Sequence, residues 1–226
     1  MTEYNENTKI IAFDLDDTLY KEIDFVMSAY HAVSLQVREK YGFENAFNVM
    51  EQAFRNKQNP FDALADAINS EINIAALVAT YRNHKPNISL SRTAELTLEY
   101  LQGEDTVLCL ITDGRSLTQR NKIKALGLNR FFNNENISIS EEIGAEKTDV
   151  LPFKKLMEQY PQAKHFFYVG DNTAKDFFHP NRLGWTTICI EDNGQNIHPQ
   201  NFNGNKTHNP AIIIDNIYDL LPIVLD

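Results

Sequence analysis

Residues Ile10 to Tyr20 read IIAFDLDDTLY, an apolar run that meets three carboxylates and a threonine within five residues. A short continuous run of this kind is what a strand buried on both faces of a parallel sheet looks like. Asp14 then falls at the strand's carboxyl edge. In open α/β sheets that edge is where ligands bind, so an acid there is placed for chemistry rather than for packing.

The distance from this strand to the next fixes the layout. The next strand-like run is Thr106 to Thr112, and a parallel crossover needs only about a dozen residues. The intervening segment therefore predicts an inserted helical domain. Ile23, Val26, Tyr30, Val33 and Val37 make one apolar stripe that stops at Gly42, and three shorter stripes follow around Met50, Leu64 and Leu77. Four helices make a small bundle.

Beyond Pro86 the patterns alternate. Ser91 caps a helix running to Gly103; VLCLIT is a strand, Ser116 to Leu126 a helix, ISIS a short strand, and Asp149 to Tyr160 a helix capped by Thr148. HFFYVG is a strand, Thr173 to Leu183 a helix, TTICI a strand, Asn193 to Asn209 a loop, and AIII with Asn216 to Val224 a last strand and helix. The expected fold is α/β, a doubly wound parallel sheet with an inserted helical bundle. Its core spans 1–20 and 91–226, and the bundle spans 21–90.

A formal net charge of −10 argues against nucleic acid or an anionic membrane as a partner held by bulk electrostatics. Cys109 and Cys189 sit inside apolar runs and read as reduced core residues. MTEYNENTK carries no apolar signal core, so a cytoplasmic location is the default expectation.

Three later stretches repeat the pattern of a strand ending in chemistry. In LITDGR, Thr112 offers a hydroxyl, and Asp113 and Gly114 turn into a helix whose N-terminal amides suit a phosphate. Lys147 in EKTD stands where a connection returns to the carboxyl edge. YVGDNTAKD places Asp171 directly after a strand, with Asp176 five residues on.

In this order the four stretches resemble the motifs of the haloacid dehalogenase-like (HAD) phosphohydrolases, whose first motif is D-x-D-x-T after an apolar run. The third departs in part, since Thr148 stands where the family often has proline. The resemblance implies a phosphatase acting on a small phosphorylated metabolite, a sugar phosphate or a nucleoside monophosphate. Asp14 would be the nucleophile that forms an aspartyl-phosphate, and Asp16 the acid/base. Thr112, the Gly114 region and Lys147 would hold the phosphoryl oxygens. Mg²⁺ would be held by Asp14, the Asp16 carbonyl and Asp171, with Asp176 in support. The bundle would be the helical cap many members place there, with Arg55, Lys57, Arg82, His84 and Lys85 as its polar candidates.

Charge balance supports a metal independently. Four carboxylates cannot crowd together as anions uncompensated; with Asp16 protonated, Lys147 and one divalent cation neutralise the remaining three. Two other readings stay open. One is a phosphomutase of the same family; the other is a phospho-accepting receiver-like signalling module, which also combines an acidic pair, a Thr and a Lys on a parallel sheet. No motif marks the oligomeric state.

Overall fold

The computed structural model describes residues 4–68, 71–103 and 105–225. Six strands form one sheet in the order β3-β2-β1-β4-β5-β6, all parallel. They are β1 (Lys9–Phe13), β2 (Thr106–Thr112), β3 (Ile137–Ile139), β4 (His165–Gly170), β5 (Thr186–Ile190) and β6 (Ile212–Ile214). The chain builds outward from β1 to β3, then returns to the other side of β1 to lay down β4. The order therefore reverses beside β1, which is where doubly wound sheets open a crevice at their carboxyl ends.

Alternation along β1 explains why both faces are covered. Ile11 and Phe13 join a core with Leu98, Leu101, Ile123 and Leu220, whereas Ile10 and Ala12 join one with Phe153, Leu156, Phe177 and Trp185. The helices on these faces are α5 (Arg92–Leu101), α6 (Ser116–Ala125), α7 (Ser140–Ile143), α8 (Leu151–Gln159), α9 (Phe178–Arg182) and α10 (Leu220–Leu225), numbered after the four of the bundle. Ser91 caps α5 as expected, its hydroxyl accepting from the Ala94 N–H.

Between β1 and β2 lie α1 (Glu22–Tyr41), α2 (Ala46–Arg55), α3 (Pro60–Ile68) and α4 (Ile74–Asn83). They bury an apolar cluster of their own, Val26, Tyr30, Val33, Val37, Ala46, Met50, Leu64 and Leu77. Gly42 ends α1 in the left-handed conformation, its N–H reaching back to the Arg38 carbonyl.

Two helices are shorter than their sequence suggests. The Asp149 carboxylate accepts the Leu151 N–H two residues on, a side-chain turn that holds 149–150 out of the helix, so α8 starts at Leu151 and Thr148 does not cap it. After β4, Asp176 draws the N–H groups of Asp171 and Asn172 onto one oxygen at 3.1 and 2.8 Å. That ties 171–176 into turns, and α9 is confined to Phe178–Arg182.

Gly170 is required by this tie, because a Cβ there would run into the Asp176 carboxylate. Gly170→Ala is expected to destabilise by about 1–3 kcal/mol through overpacking and to lower the thermal unfolding midpoint. An unchanged midpoint would mean that Asp176 yields freely.

Candidate active site

Asp14, Thr112 and Asp171 leave the ends of three adjacent strands, β1, β2 and β4, so the sheet itself converges them on one crevice. The crevice is a cavity of about 120 Å³ lined by Asp14, Asp16, Thr112, Lys147, Asp171 and Lys175, among others. Of the residues singled out in the sequence, Asp14, Asp16, Thr112, Asp113, Lys147 and Asp171 line it, and Asp176 lies beside it, bonded to Lys147.

Lys147 is the hub. Its ammonium is buried, 2.7 Å from Asp14 Oδ1 and 2.7 Å from Asp176 Oδ1. Burial alone would discharge it, but the two carboxylates hold its pKa well above the ordinary lysine range. Asp113 sets where Lys147 sits, since Asp113 Oδ1 accepts the Lys147 backbone N–H at 2.9 Å. Asp113 therefore positions the lysine and does not cap α6.

Asp176 has both oxygens occupied. Oδ1 takes Lys147 and the Tyr168 hydroxyl, and Oδ2 takes the two backbone N–H groups after β4. Asp14 and Asp171 differ: among the described residues Asp14 Oδ2 and Asp171 Oδ1 accept no hydrogen bond, while Asp171 Oδ2 accepts from Asn196 Nδ2 at 2.9 Å. Burial, with the neighbouring carboxylates, pushes Asp14 up to about 7 and Asp171 up to about 9.

One carboxylate oxygen from each of Asp14, Asp171 and Asp176 lies within 4.8 Å of the others. This buried set of hard oxygen donors, two of them raised by burial and by their carboxylate neighbours, can hold a metal ion.

Asp16 stands apart. Lys122 Nζ lies 2.7 Å from Asp16 Oδ1, the Tyr20 hydroxyl donates to the same oxygen at 2.5 Å, and Gln119 Nε2 donates to Oδ2 at 3.0 Å. Burial would raise this carboxyl, but Lys122 and the two neutral donors hold it below the usual range. The charge count made with a protonated Asp16 is thus corrected: in this arrangement Asp16 is an anion with a lysine of its own. Burial and Asp16 together push nearby Glu22 up to about 8.

Thr112 Oγ1 accepts from Gln119 Nε2 at 2.6 Å, which leaves its O–H to donate elsewhere. The structure does not bring Gly114 to the cavity, because its N–H donates to Ser140 Oγ at 2.9 Å. None of Arg55, Lys57, Arg82, His84 and Lys85 lines the cavity. Lys175 and His198 do, and the sequence did not flag either. Asp17 is buried at a positive φ of 55°, where it accepts the N–H groups of Glu22 and Ile197.

The model of the haloacid dehalogenase-like hydrolase family matches residues 11–190. The chain belongs to that family. Among relatives, glyceraldehyde 3-phosphate phosphatase of Methanocaldococcus jannaschii is 31% identical over 80% of this chain and 84% of its own. The enzyme of the same name from Methanopyrus kandleri is 27% identical over 96% and 97%. Such kinship makes this HAD-like hydrolase an enzyme of the phosphatase branch. The fold agrees with solved HAD structures: YfnB of Bacillus subtilis superposes with a TM-score of 0.69 at 22% identity over 96% of this chain and 98% of that one. For a HAD phosphatase of Thermococcus onnurineus the TM-score is 0.60 at 21% identity, over 96% and 98%. Among the described residues no helix is long and apolar enough to cross a membrane.

The raised carboxyls give a pH signature. Asp14 and Asp171 bind protons more tightly folded than unfolded, where their pKa is about 3.9. The stability they contribute is complete below that value and is lost as pH rises through about 7 and about 9. In chelator, the unfolding midpoint should therefore fall between pH 5 and pH 9. Mg²⁺ should raise it more at pH 9 than at pH 5, because fewer protons then compete for the two carboxylates. A midpoint that climbs with pH in chelator would contradict this charge assignment.

Proposed function

We propose that this chain is a Mg²⁺-dependent phosphatase that hydrolyses a small sugar phosphate of the glyceraldehyde 3-phosphate class through an aspartyl-phosphate on Asp14. The observation that carries the reading is Asp14 itself. It is a buried carboxylate with one oxygen pinned to Lys147 and the other unengaged, at the mouth of a crevice that also holds Asp16 and Thr112.

In this reading the unengaged Asp14 oxygen attacks phosphorus and the ester P–O bond breaks. For this step Asp16, an anion in the substrate-free site, first takes up a proton from solvent despite its Lys122 partner, and the departing alkoxide receives that proton. A water that gives its proton back to Asp16 then attacks the phosphorus, which releases inorganic phosphate and restores Asp14. Thr112 O–H and the remaining Lys147 N–H donate to the phosphoryl oxygens, where fixed donors stabilise the transition state. Mg²⁺ on Asp14 and Asp171, with the Asp16 carbonyl, would neutralise the charge of the phosphoryl group.

The crevice has room for the phosphoryl end of the three-carbon ester. A cavity of about 120 Å³ is well under the roughly 300 Å³ of ordinary ligand pockets, and it suits a phosphoryl group with a short carbon chain. The relatives' names point the same way. The division into a core and a cap belongs to the same proposal: α1 to α4, with their own apolar cluster, would close over the crevice and exclude water.

With Mg²⁺ present, glyceraldehyde 3-phosphate should release phosphate faster than any nucleoside monophosphate, and chelator should stop it. Asp14→Asn should abolish phospho-protein, seen by intact mass, for aryl and alkyl esters alike. Preference for a nucleotide would overturn the substrate class; phospho-protein on Asp14→Asn would overturn the nucleophile.

A further inference from the structure

Lysine is almost never fully buried without a partner, and Lys122 is a second lysine buried beside this site, with a side chain only 4% exposed. Its ammonium sits 2.7 Å from Asp16 Oδ1, 3.8 Å from Glu22 Oε1 and 4.3 Å from the centre of the Phe25 ring. Gln119, one turn earlier on the same helix, bridges Asp16 Oδ2 and Thr112. Both oxygens of Asp16 are thereby fixed in direction by α6.

The helix that aims Asp16 is also the one that grips the bundle. Glu22 and Phe25 belong to the start of α1. At the far end of α4, Thr118 Oγ1 donates to the Arg82 carbonyl at 3.0 Å, and Asn121 Nδ2 donates to the His84 carbonyl at 3.1 Å. Thr118 and Asn121 thus bind the bundle where Gln119 and Lys122 bind Asp16. The bundle completes the socket of Lys122, with a ring on one side and a carboxyl on another.

We propose that Lys122 is a positioning residue: with Gln119 it aims the Asp16 carboxyl at the leaving-group oxygen, and it does so while the bundle is seated against α6. The inference rests on the reading of Asp16 as acid and base. Proton transfer needs the carboxyl within hydrogen-bond reach of the ester oxygen, about 2.6–3.2 Å, so an unaimed carboxyl forfeits it. A misplacement of about 1 Å can cost on the order of a hundredfold.

The test compares two esters on the Mg²⁺-loaded enzyme. Para-nitrophenolate leaves without protonation, whereas the alkoxide of glyceraldehyde 3-phosphate needs it. The readout is the alkyl-to-aryl ratio of phospho-enzyme formation rates, which a merely structural lysine would leave unmoved. Asp16→Asn should lower this ratio by about 10²-fold or more. Lys122→Met should lower it at least about tenfold, and Phe25→Leu should move it in the same direction by less. A changed ratio for Asp16→Asn with an unchanged ratio for Lys122→Met would overturn the proposal and leave the role of Asp16 standing. An unchanged ratio for Asp16→Asn would overturn the underlying reading instead. An unmoved ratio for Phe25→Leu would overturn the dependence on the bundle. If Lys122→Met fails to fold by circular dichroism, Gln119→Leu supplies the same measurement, and an unchanged ratio there overturns the proposal.

Discussion

The Lys147 ammonium, shared between Asp14 and Asp176, is the interaction on which the rest of the site depends. Buried charges are costly unless they are paired and hydrogen-bonded. Here each partner is held by something else: Asp176 by Tyr168 and the amides after β4, and Lys147 by Asp113 through its backbone. The sheet brings Asp14 and Asp171 to neighbouring strand ends, and the lysine makes that crowding tolerable. Remove the ammonium and three carboxylates face one another with no buried cation between them.

The charge count then closes in a way that no single motif reveals. Asp14, Asp16, Asp171 and Asp176 are four carboxylates, and Lys122 and Lys147 are two ammonium groups, which leaves two negative charges. One divalent cation would supply that difference. Without it, burial and the neighbouring carboxylates raise Asp14 and Asp171, while Asp16, with a lysine of its own, is held low.

The sheet, its helices and the acidic residues of the crevice were legible because each strand is an apolar run that stops at a polar residue, and the four motif stretches fall on or beside such ends. The turns after β4 were not legible, since Asp176 reads as the acidic turn of a helix and only the fold shows it drawing two amides away from one. Lys122 was missed for a different reason. Gln119, Lys122, Ile123 and Leu126 stand at i, i+3, i+4 and i+7, a core-facing stripe with two polar residues in apolar slots. That substitution was the available signal, and a lysine is so often a solvated charge that the pattern passes as noise. The shortfall at Gly114 has the opposite origin: a glycine turn before a helix suggests free amides, and Ser140, remote in sequence, takes one of them.

How the bundle communicates with the crevice follows from the shortness of the link between them. Asp14 and the first residue of α1, Glu22, are joined by a segment with little slack, and Asp17 governs it. Held at a positive φ that few non-glycine residues adopt, Asp17 accepts the Glu22 N–H on one oxygen and the Ile197 N–H on the other. Ile197 packs against the apolar cluster of the bundle, and its neighbour Asn196 donates to Asp171 while accepting from Lys21. A shift of α1 is therefore felt at the loop that follows Asp14, at Asp16 through Lys122, and at Asp171 through Asn196. Three paths of hydrogen bonds and ion pairs meet within one shell, so the bundle cannot move far while all three carboxylates keep their places. The contacts that seat the bundle are thus the same ones that fix Asp16, Asp17 and Asp171.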